Sequence, residues 1–271
     1  MNITFVGGGN MATALIGGLL QQGFAADAIS VVEPSPEKRE HLAAKYQVRA
    51  LAELRDGIAG SAVIVLAVKP QQLKVVAAEL APQLSTQLVI SIAAGIRSGD
   101  LSRWLGGHKI LVRVMPNTPA MVMAGTSGLY ALPDVNGVQR ASAQRILEAV
   151  GSVIWLQDEQ QMDAITAVSG SGPAYVFYFI EALEEAAIEL GFNADQARRL
   201  SIDTFVGAAK LADLSEEDIR TLRARVTSKG GTTERALHAM ESSGVKEHII
   251  SAIRAAAERS RELGDELGKA E

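Results

Sequence analysis

Apolar residues fall into two regimes along the chain. Up to about residue 156, short β-branched runs alternate with Ala- and Leu-rich stretches of helical period: Ile3 to Val6 then Met11 to Gln22, Ile29 to Val32 then Glu37 to Tyr46, Ala62 to Val68 then Gln71 to Leu80. Repeated strand–helix units of this kind predict a parallel sheet with crossover helices. Further strands are expected at Leu88 to Ile92 and Ile110 to Val114, and Thr126 to Ala131 and Ser152 to Leu156 are expected to finish the sheet. Beyond them only helical period remains, through Gln160 to Val168, Ala174 to Leu190, Ala194 to Leu214, Thr232 to Ser242 and Val245 to Leu267. The fold class expected is therefore α/β, a Rossmann-type doubly wound sheet domain over residues 1–160 followed by an all-helical domain over 161–271. The boundary lies near 158–165, where the period changes without a Pro/Gly/Ser linker. About 110 residues of pure helix make a marginal core, so burial of the second domain against another subunit is expected.

Composition narrows the class. Of 271 residues, 48% are hydrophobic but only 4% aromatic, which suits parallel strands between Ala-rich helices. A net charge of -5, with no basic stripe interleaved with aromatics, argues against nucleic acid as a partner. Without cysteine, thiolate metal sites and a Cys nucleophile are excluded. No apolar stretch reaches the roughly 18 residues of a membrane span. Met1 leads at once into a strand-like run without a basic leader, so a cytoplasmic, non-membrane protein is expected.

The glycine-rich opening carries the first chemistry. Gly7-Gly8-Gly9-Asn10-Met11-Ala12 places Gly7, Gly9 and Ala12 at G-x-G-x-x-A spacing, after the first strand and at the start of the first helix. Gly7 allows the tight turn, Gly9 lets backbone approach a pyrophosphate, and Ala12 lets helix and strand pack closely. Glu33 ends the second strand, where an acid can hold both ribose hydroxyls of NAD and repel a 2′-phosphate. Ser35, Lys38 and Arg39 open the next helix and are suited to an anion, which leaves NADPH open beside NADH; Lys38 and Arg39 read equally well as surface charges. Ala67-Val68-Lys69-Pro70, Ala93-Ala94-Gly95 and Met115-Pro116-Asn117-Thr118-Pro119 each follow a strand at its C-terminal end, the ligand side of such sheets. For each of the three, plain turn chemistry is the alternative.

The four histidines, His41, His108, His238 and His248, form no visible acid–base or metal constellation, and no metal is expected. Scarcity of a general base leans toward an imine acceptor, which can arrive protonated, over an alcohol. Ser169-Gly170-Ser171-Gly172-Pro173 and Thr227-Ser228-Lys229-Gly230-Gly231-Thr232-Thr233 each precede a helix. Capping accounts for the first; the second is denser than a cap needs and fits a substrate carboxylate.

Val226-Thr227-Ser228-Lys229-Gly230-Gly231-Thr232-Thr233, running into Ala236-Leu237, resembles the signature of the pyrroline-5-carboxylate reductase family. The Ser169 to Tyr175, Met115 to Pro119 and Ala67 to Pro70 segments are similar to its other blocks, in the same order over essentially the whole chain. The resemblance implies NADPH- or NADH-dependent reduction of L-1-pyrroline-5-carboxylate to L-proline, the last step of proline biosynthesis. It implies Ser228, Gly230, Gly231, Thr232 and Thr233 as substrate-binding residues, the Gly231 to Thr233 amides on the carboxylate and Thr233 on the ring nitrogen. It also implies a homodimer through the helical domain, and often higher assembly. Glu216 aligns with an acidic position near the substrate in some members, but also reads as a helix cap. Glu33 departs from the smaller or neutral residue of many NADPH-preferring members, and Lys229 from the Pro of some relatives. Competing readings are a reductase of another small imino or 2-hydroxy acid and a non-catalytic dinucleotide sensor.

Overall fold

In the computed structural model, which describes Met1–Lys269, eight strands form one sheet. They are β1 (Ile3–Val6), β2 (Ile29–Val32), β3 (Arg49–Leu51), β4 (Val63–Leu66), β5 (Leu88–Ser91), β6 (Leu111–Met115), β7 (Gly125–Ala131) and β8 (Gly151–Trp155), in spatial order β3-β2-β1-β4-β5-β6-β7-β8. Strands β1 to β6 are parallel, with Phe5 level with Val31 on one side and Val65 on the other. The helices between them are α1 (Asn10–Gln21), α2 (Pro36–Tyr46), α3 (Leu54–Ile58), α4 (Pro70–Leu80), α5 (Ser98–Trp104) and α6 (Gly137–Glu148). Every residue of β1, β2, β4 and β5 is buried, because helices cover both faces and successive side chains alternate between them. Val63 and Val65 join Phe5, Leu15 and Ile90 in one core, while Ile64 and Leu66 join Val6, Leu73 and Val89 in the other.

Two features depart from the expected sheet. Strand β7 runs antiparallel to β6, and β8 is parallel to β7. Only residues 116–124, holding a 3-10 turn at Thr118–Val122, join β6 to β7, which is too short for a parallel crossover of a dozen or more residues. The sequence reading also passed over β3 and α3; at three residues with an exposed start, β3 has too little apolar alternation to be seen.

The helical half comprises α7 (Gln161–Ile165), a π-helical turn at Thr166–Gly170, α8 (Gly172–Glu189), α9 (Ala194–Asp213), α10 (Ile219–Arg225), α11 (Thr232–Ser242) and α12 (Val245–Lys269). The chain divides into two compact units, but not at 160/161. Residues up to Ser171 belong to the first unit, Gly172–Ala255 form the second, and the chain from Ala256 onward returns to the first. The physical reason lies in packing: Met162 and Ala167 are fully buried, Ile165 lies so close to Gly128 that a side-chain carbon there would collide with it, and Ser260 Oγ donates to Asp163 Oδ1 at 2.7 Å. The second unit has almost no interior. Helix α8 contains no buried residue and α9 only Ala197 and Ser201, leaving Phe177 65% and Tyr178 70% exposed.

Candidate active site

The strand order reverses between β1 and β4, and this switch point, where the glycine turn follows β1, opens the ligand crevice of a doubly wound sheet. Gly7 has φ of 101°, donates its amide to Val32 O at 2.8 Å, and would put a Cβ 2.8 Å from Ala67 O. The turn and the approach of β4 therefore both demand glycine. Gly9 is different: a Cβ there would meet nothing within 4 Å, so the protein's own packing does not require glycine. Gly9 is the N-cap of α1, with no side-chain cap and no acidic residue in the first turn, and Ala12 is fully buried behind it. Uncapped amides facing open space at a helix start fit the pyrophosphate of a dinucleotide.

Glu33 is buried to 8% exposure, and both its oxygens are engaged: Gly8 N donates to Oε2 at 3.0 Å and Ser35 N to Oε1 at 3.1 Å. The carboxylate thus ties the glycine loop to the start of α2. Ser35 is the N-cap of α2, accepting from Lys38 N. Arg39 turns inward, donating to Glu33 O at 2.8 Å and Pro34 O at 2.7 Å, so it braces the same turn, whereas Lys38 is exposed.

Ala67, Val68, Lys69 and Pro70 link β4 to α4, with Lys69 as N-cap and Pro70 in the first turn. After β5, Ala93 is buried, Ala94 is exposed and Gly95 takes φ of 75°. After β6, the side chain of Asn117 is spent within the protein: Oδ1 accepts from Thr126 N at 2.9 Å, and Nδ2 donates to Ser169 O at 3.2 Å and Ser169 Oγ at 3.1 Å. The glycine loop and these three loops all follow the C-terminal ends of parallel strands in the first unit.

In the second unit, Ser228 to Thr233 form a tight loop into α11. Thr227 Oγ1 donates to Arg223 O, Gly231 N to Ser228 O at 3.0 Å, and Gly230 N to Glu234 Oε2 at 2.7 Å, with Gly230 at φ of 74°. A Cβ on Gly231 would sit 2.5 Å from Ser228 Oγ and 3.1 Å from Ser228 O, so a side chain there would turn the Ser228 hydroxyl aside. The amide of Gly231, expected on the carboxylate, is thus engaged inside the loop, as is that of Gly230. Thr232 and Thr233 begin α11, which has no side-chain cap, and their amides precede its hydrogen-bonded ladder. Lys229 is exposed. Glu216 is not a cap: Asp218 is, accepting from Arg220 N and Thr221 N, and the Thr221 hydroxyl followed by its amide holds the Asp218 carboxyl below the usual range.

One arrangement had no counterpart in the sequence reading. Buried Arg113 on β6 donates to Glu159 Oε1 at 2.8 Å, and the same carboxylate accepts from Ser98 N at 2.7 Å and from Ser98 Oγ, closing the start of α5. An Arg in a strand interior was its only local signal. Among the described residues, no group of three or more His, Cys, Asp or Glu could hold a metal ion, and no helix is long and apolar enough to cross a membrane.

Comparison with known proteins divides the chain near residue 159, ahead of the start of the second compact unit. A family model described as pyrroline-5-carboxylate reductase dimerisation matches residues 159–263, and one described as NADP oxidoreductase, coenzyme F420-dependent, matches residues 2–95. The pyrroline-5-carboxylate reductase of Pseudomonas aeruginosa is 45% identical over 268 residues, covering 98% of each chain. That of Haemophilus influenzae is 44% identical, covering 96% of this chain and 97% of its own. Among solved structures, a pyrroline-5-carboxylate reductase from Coxiella burnetii matches with a TM-score of 0.93 at 44% identity, covering 97% of this chain and 98% of that one. The Plasmodium falciparum pyrroline carboxylate reductase, solved with NADP bound, matches with a TM-score of 0.87 at 29% identity and the same coverage. The glycine loop, the sheet and the Gly/Thr-rich start of α11 all lie within these full-length matches, and the chain belongs to the pyrroline-5-carboxylate reductase family.

Proposed function

We propose that the protein reduces L-1-pyrroline-5-carboxylate to L-proline with NADPH or NADH, as the last step of proline biosynthesis. The whole-length likeness to pyrroline-5-carboxylate reductases carries this reading. A bound reduced nicotinamide would supply the hydride for the imine carbon, with the C=N π pair passing to a nitrogen that keeps the proton it carried as an iminium, to give a secondary amine and the oxidised cofactor. The chain's own work is orientation. The amides of Gly9, Asn10 and Met11 at the start of α1 would hold the pyrophosphate, Gly7, Gly8 and Ala12 shape that loop, and the Ala67–Pro70, Ala93–Gly95 and Asn117 loops bound the rest of the dinucleotide. Because Asn117 spends its side chain on Thr126 and Ser169, its contribution to the cofactor is through backbone. The amides of Thr232 and Thr233 bind the substrate carboxylate, Ser228, Gly230 and Gly231 shape that loop, and the Thr233 hydroxyl hydrogen-bonds the ring nitrogen. No His, Cys or metal is required.

Glu33 weighs against a 2′-phosphate, since a buried carboxylate at the end of β2 meets that group with like charge. The second unit pairs with its counterpart in another subunit; an apolar cavity of about 930 Å³ between α8 and α9, lined by Phe177, Tyr178, Phe205 and Val206, is the surface such pairing would fill. The testing experiment follows oxidation of NADH and of NADPH by absorbance, with pyrroline-5-carboxylate and with simple 2-keto acids. Imine-dependent oxidation is expected; silence with the imine, or faster turnover of a keto acid, would overturn the assignment.

A further inference from the structure

Besides the Ser260–Asp163 hydrogen bond to α7, the last turns of α12 pack on the connection from β5 to α5. Ser260 and Gly264 are buried, and Gly268 follows at the same four-residue spacing, so one side of the helix carries only small residues. Arg97 lies across Gly264, where a Cβ would come within 3.1 Å of its Nε, and Asp100 lies against Gly268. Arg97 Nη1 pairs with Asp265 Oδ1 at 2.7 Å and Nη2 donates to Arg261 O at 3.2 Å. Beside this strip, Leu267 packs on the core that contains Ala93 and Ile96, and a Cβ on Gly95 would lie 2.9 Å from Leu267 Cδ1. The other end of the connection is clamped by Glu159 on Ser98. A left-handed glycine loop is therefore held from two directions by elements distant in sequence.

We propose that the end of α12 is a positioning element for the cofactor: Leu267 and the Arg97–Asp265 pair set the backbone of Ala93–Gly95 where the nicotinamide half of the dinucleotide rests. The proposal rests on the cofactor reading above. Its direction follows from strand order. Glu33 and α2 lie over β2, on the half that takes the adenosine, while β5 belongs to the other half, beyond the switch point between β1 and β4. The brace therefore acts on one end of the ligand only. Arg97 and Asp265 are both partly exposed, so their pair adds little to stability by itself; Leu267 supplies the packing and the pair supplies the register.

The test measures dissociation constants of NADH, NADPH and ADP-ribose for the full-length wild type, Leu267→Ala, Arg97→Ala and the exchange Arg97→Asp with Asp265→Arg. Leu267→Ala is expected to weaken both dinucleotides about 5- to 20-fold and ADP-ribose less than about twofold, since only the nicotinamide subsite loses its preset backbone. Arg97→Ala, a surface change that leaves the core intact, should give the same split at about 2- to 5-fold, and the exchange should recover most of it. General damage to the fold would weaken ADP-ribose equally, and that result overturns the proposal, as do unchanged dinucleotide constants in Leu267→Ala. Failure of the wild type to bind any of the three ligands would instead remove the cofactor reading.

Discussion

Gly7 and Gly9 look alike in sequence, but the structure gives them separable duties. Gly7→Ala places a methyl group on a residue at φ of 101°, 2.8 Å from Ala67 O. The unfavourable handedness costs about 1–2 kcal/mol, and pushing β4 away adds about 1–3 kcal/mol of overpacking. Together these give roughly 2–5 kcal/mol, or a fall in Tm of roughly 4–20 °C for a unit of this size. Gly9→Ala has neither problem. Gly9 sits at φ of -74° and ψ of -179°, ordinary extended backbone, and its Cβ would point into empty space. Its Tm should stay within about 2 °C of wild type, or rise slightly as the unfolded chain loses freedom. Its nucleotide affinity should fall at least about tenfold, or 1.4 kcal/mol, because the methyl occupies the approach of the pyrophosphate. Thermal melts at fixed protein concentration and fluorescence titration with NADPH and NADH measure both quantities on the same samples. A Gly9→Ala protein that binds nucleotide as well as wild type, or a Gly7→Ala protein with unchanged Tm, would refute the division.

Four further outcomes are expected. Thr233→Ala should lower kcat by about 10- to 100-fold with nucleotide affinity unchanged; steady-state kinetics and a binding titration check it, and unchanged turnover would remove Thr233 from the mechanism. Glu33→Ser should shift the ratio of kcat/KM for NADPH over NADH upward by about tenfold or more, measured on the two cofactors in parallel. Phe177→Asp, on the exposed side of α8, should shift the protein to a smaller species in size-exclusion chromatography with light scattering, because a charge would be buried on pairing. Asp265 is held below the usual carboxylate range by the Arg97 hydrogen bond and charge, with Lys269 and Arg261 adding to it. A depressed carboxyl keeps its stabilising contact above its unfolded pKa and loses it only as pH falls through the folded one. Dinucleotide affinity should thus show no titration from this pair between about pH 6 and 9, and Asp265→Asn should lower it equally across that range.

What the sequence disclosed was whatever local pattern controls. β-Branched runs alternating with stretches of helical period located most strands and crossover helices of the nucleotide half, and G-x-G-x-x-A located its loop. The reversed direction of β7 was hidden because it follows from the shortness of 116–124, a constraint on topology that leaves hydrophobic alternation unchanged. The unit boundary was displaced for a similar reason: Gln161–Ile165 has helical period, yet Met162 packs under the sheet domain. The return of α12 was recorded only in the spacing of Ser260, Gly264 and Gly268, since small residues register as close approach only when the neighbour is known. At the candidate site, residue types were legible but hydrogen-bond assignments were not. Glu33, Asn117 and Gly230 each proved to be engaged with protein partners, lying from 2 to 52 residues away.

The carboxylate of Glu33 joins two functions that are usually treated as independent. By accepting from Gly8 and Ser35 together, it makes the shape of the phosphate-gripping loop and the choice of ribose substituent share one free energy. Linkage is then reciprocal: whatever a 2′-phosphate loses by displacing this side chain, the grip on the pyrophosphate loses as well. Selectivity between the two nicotinamide cofactors cannot be retuned at residue 33 alone without lowering affinity for both, and recovery would come from a second change that gives the Gly8 amide a new acceptor.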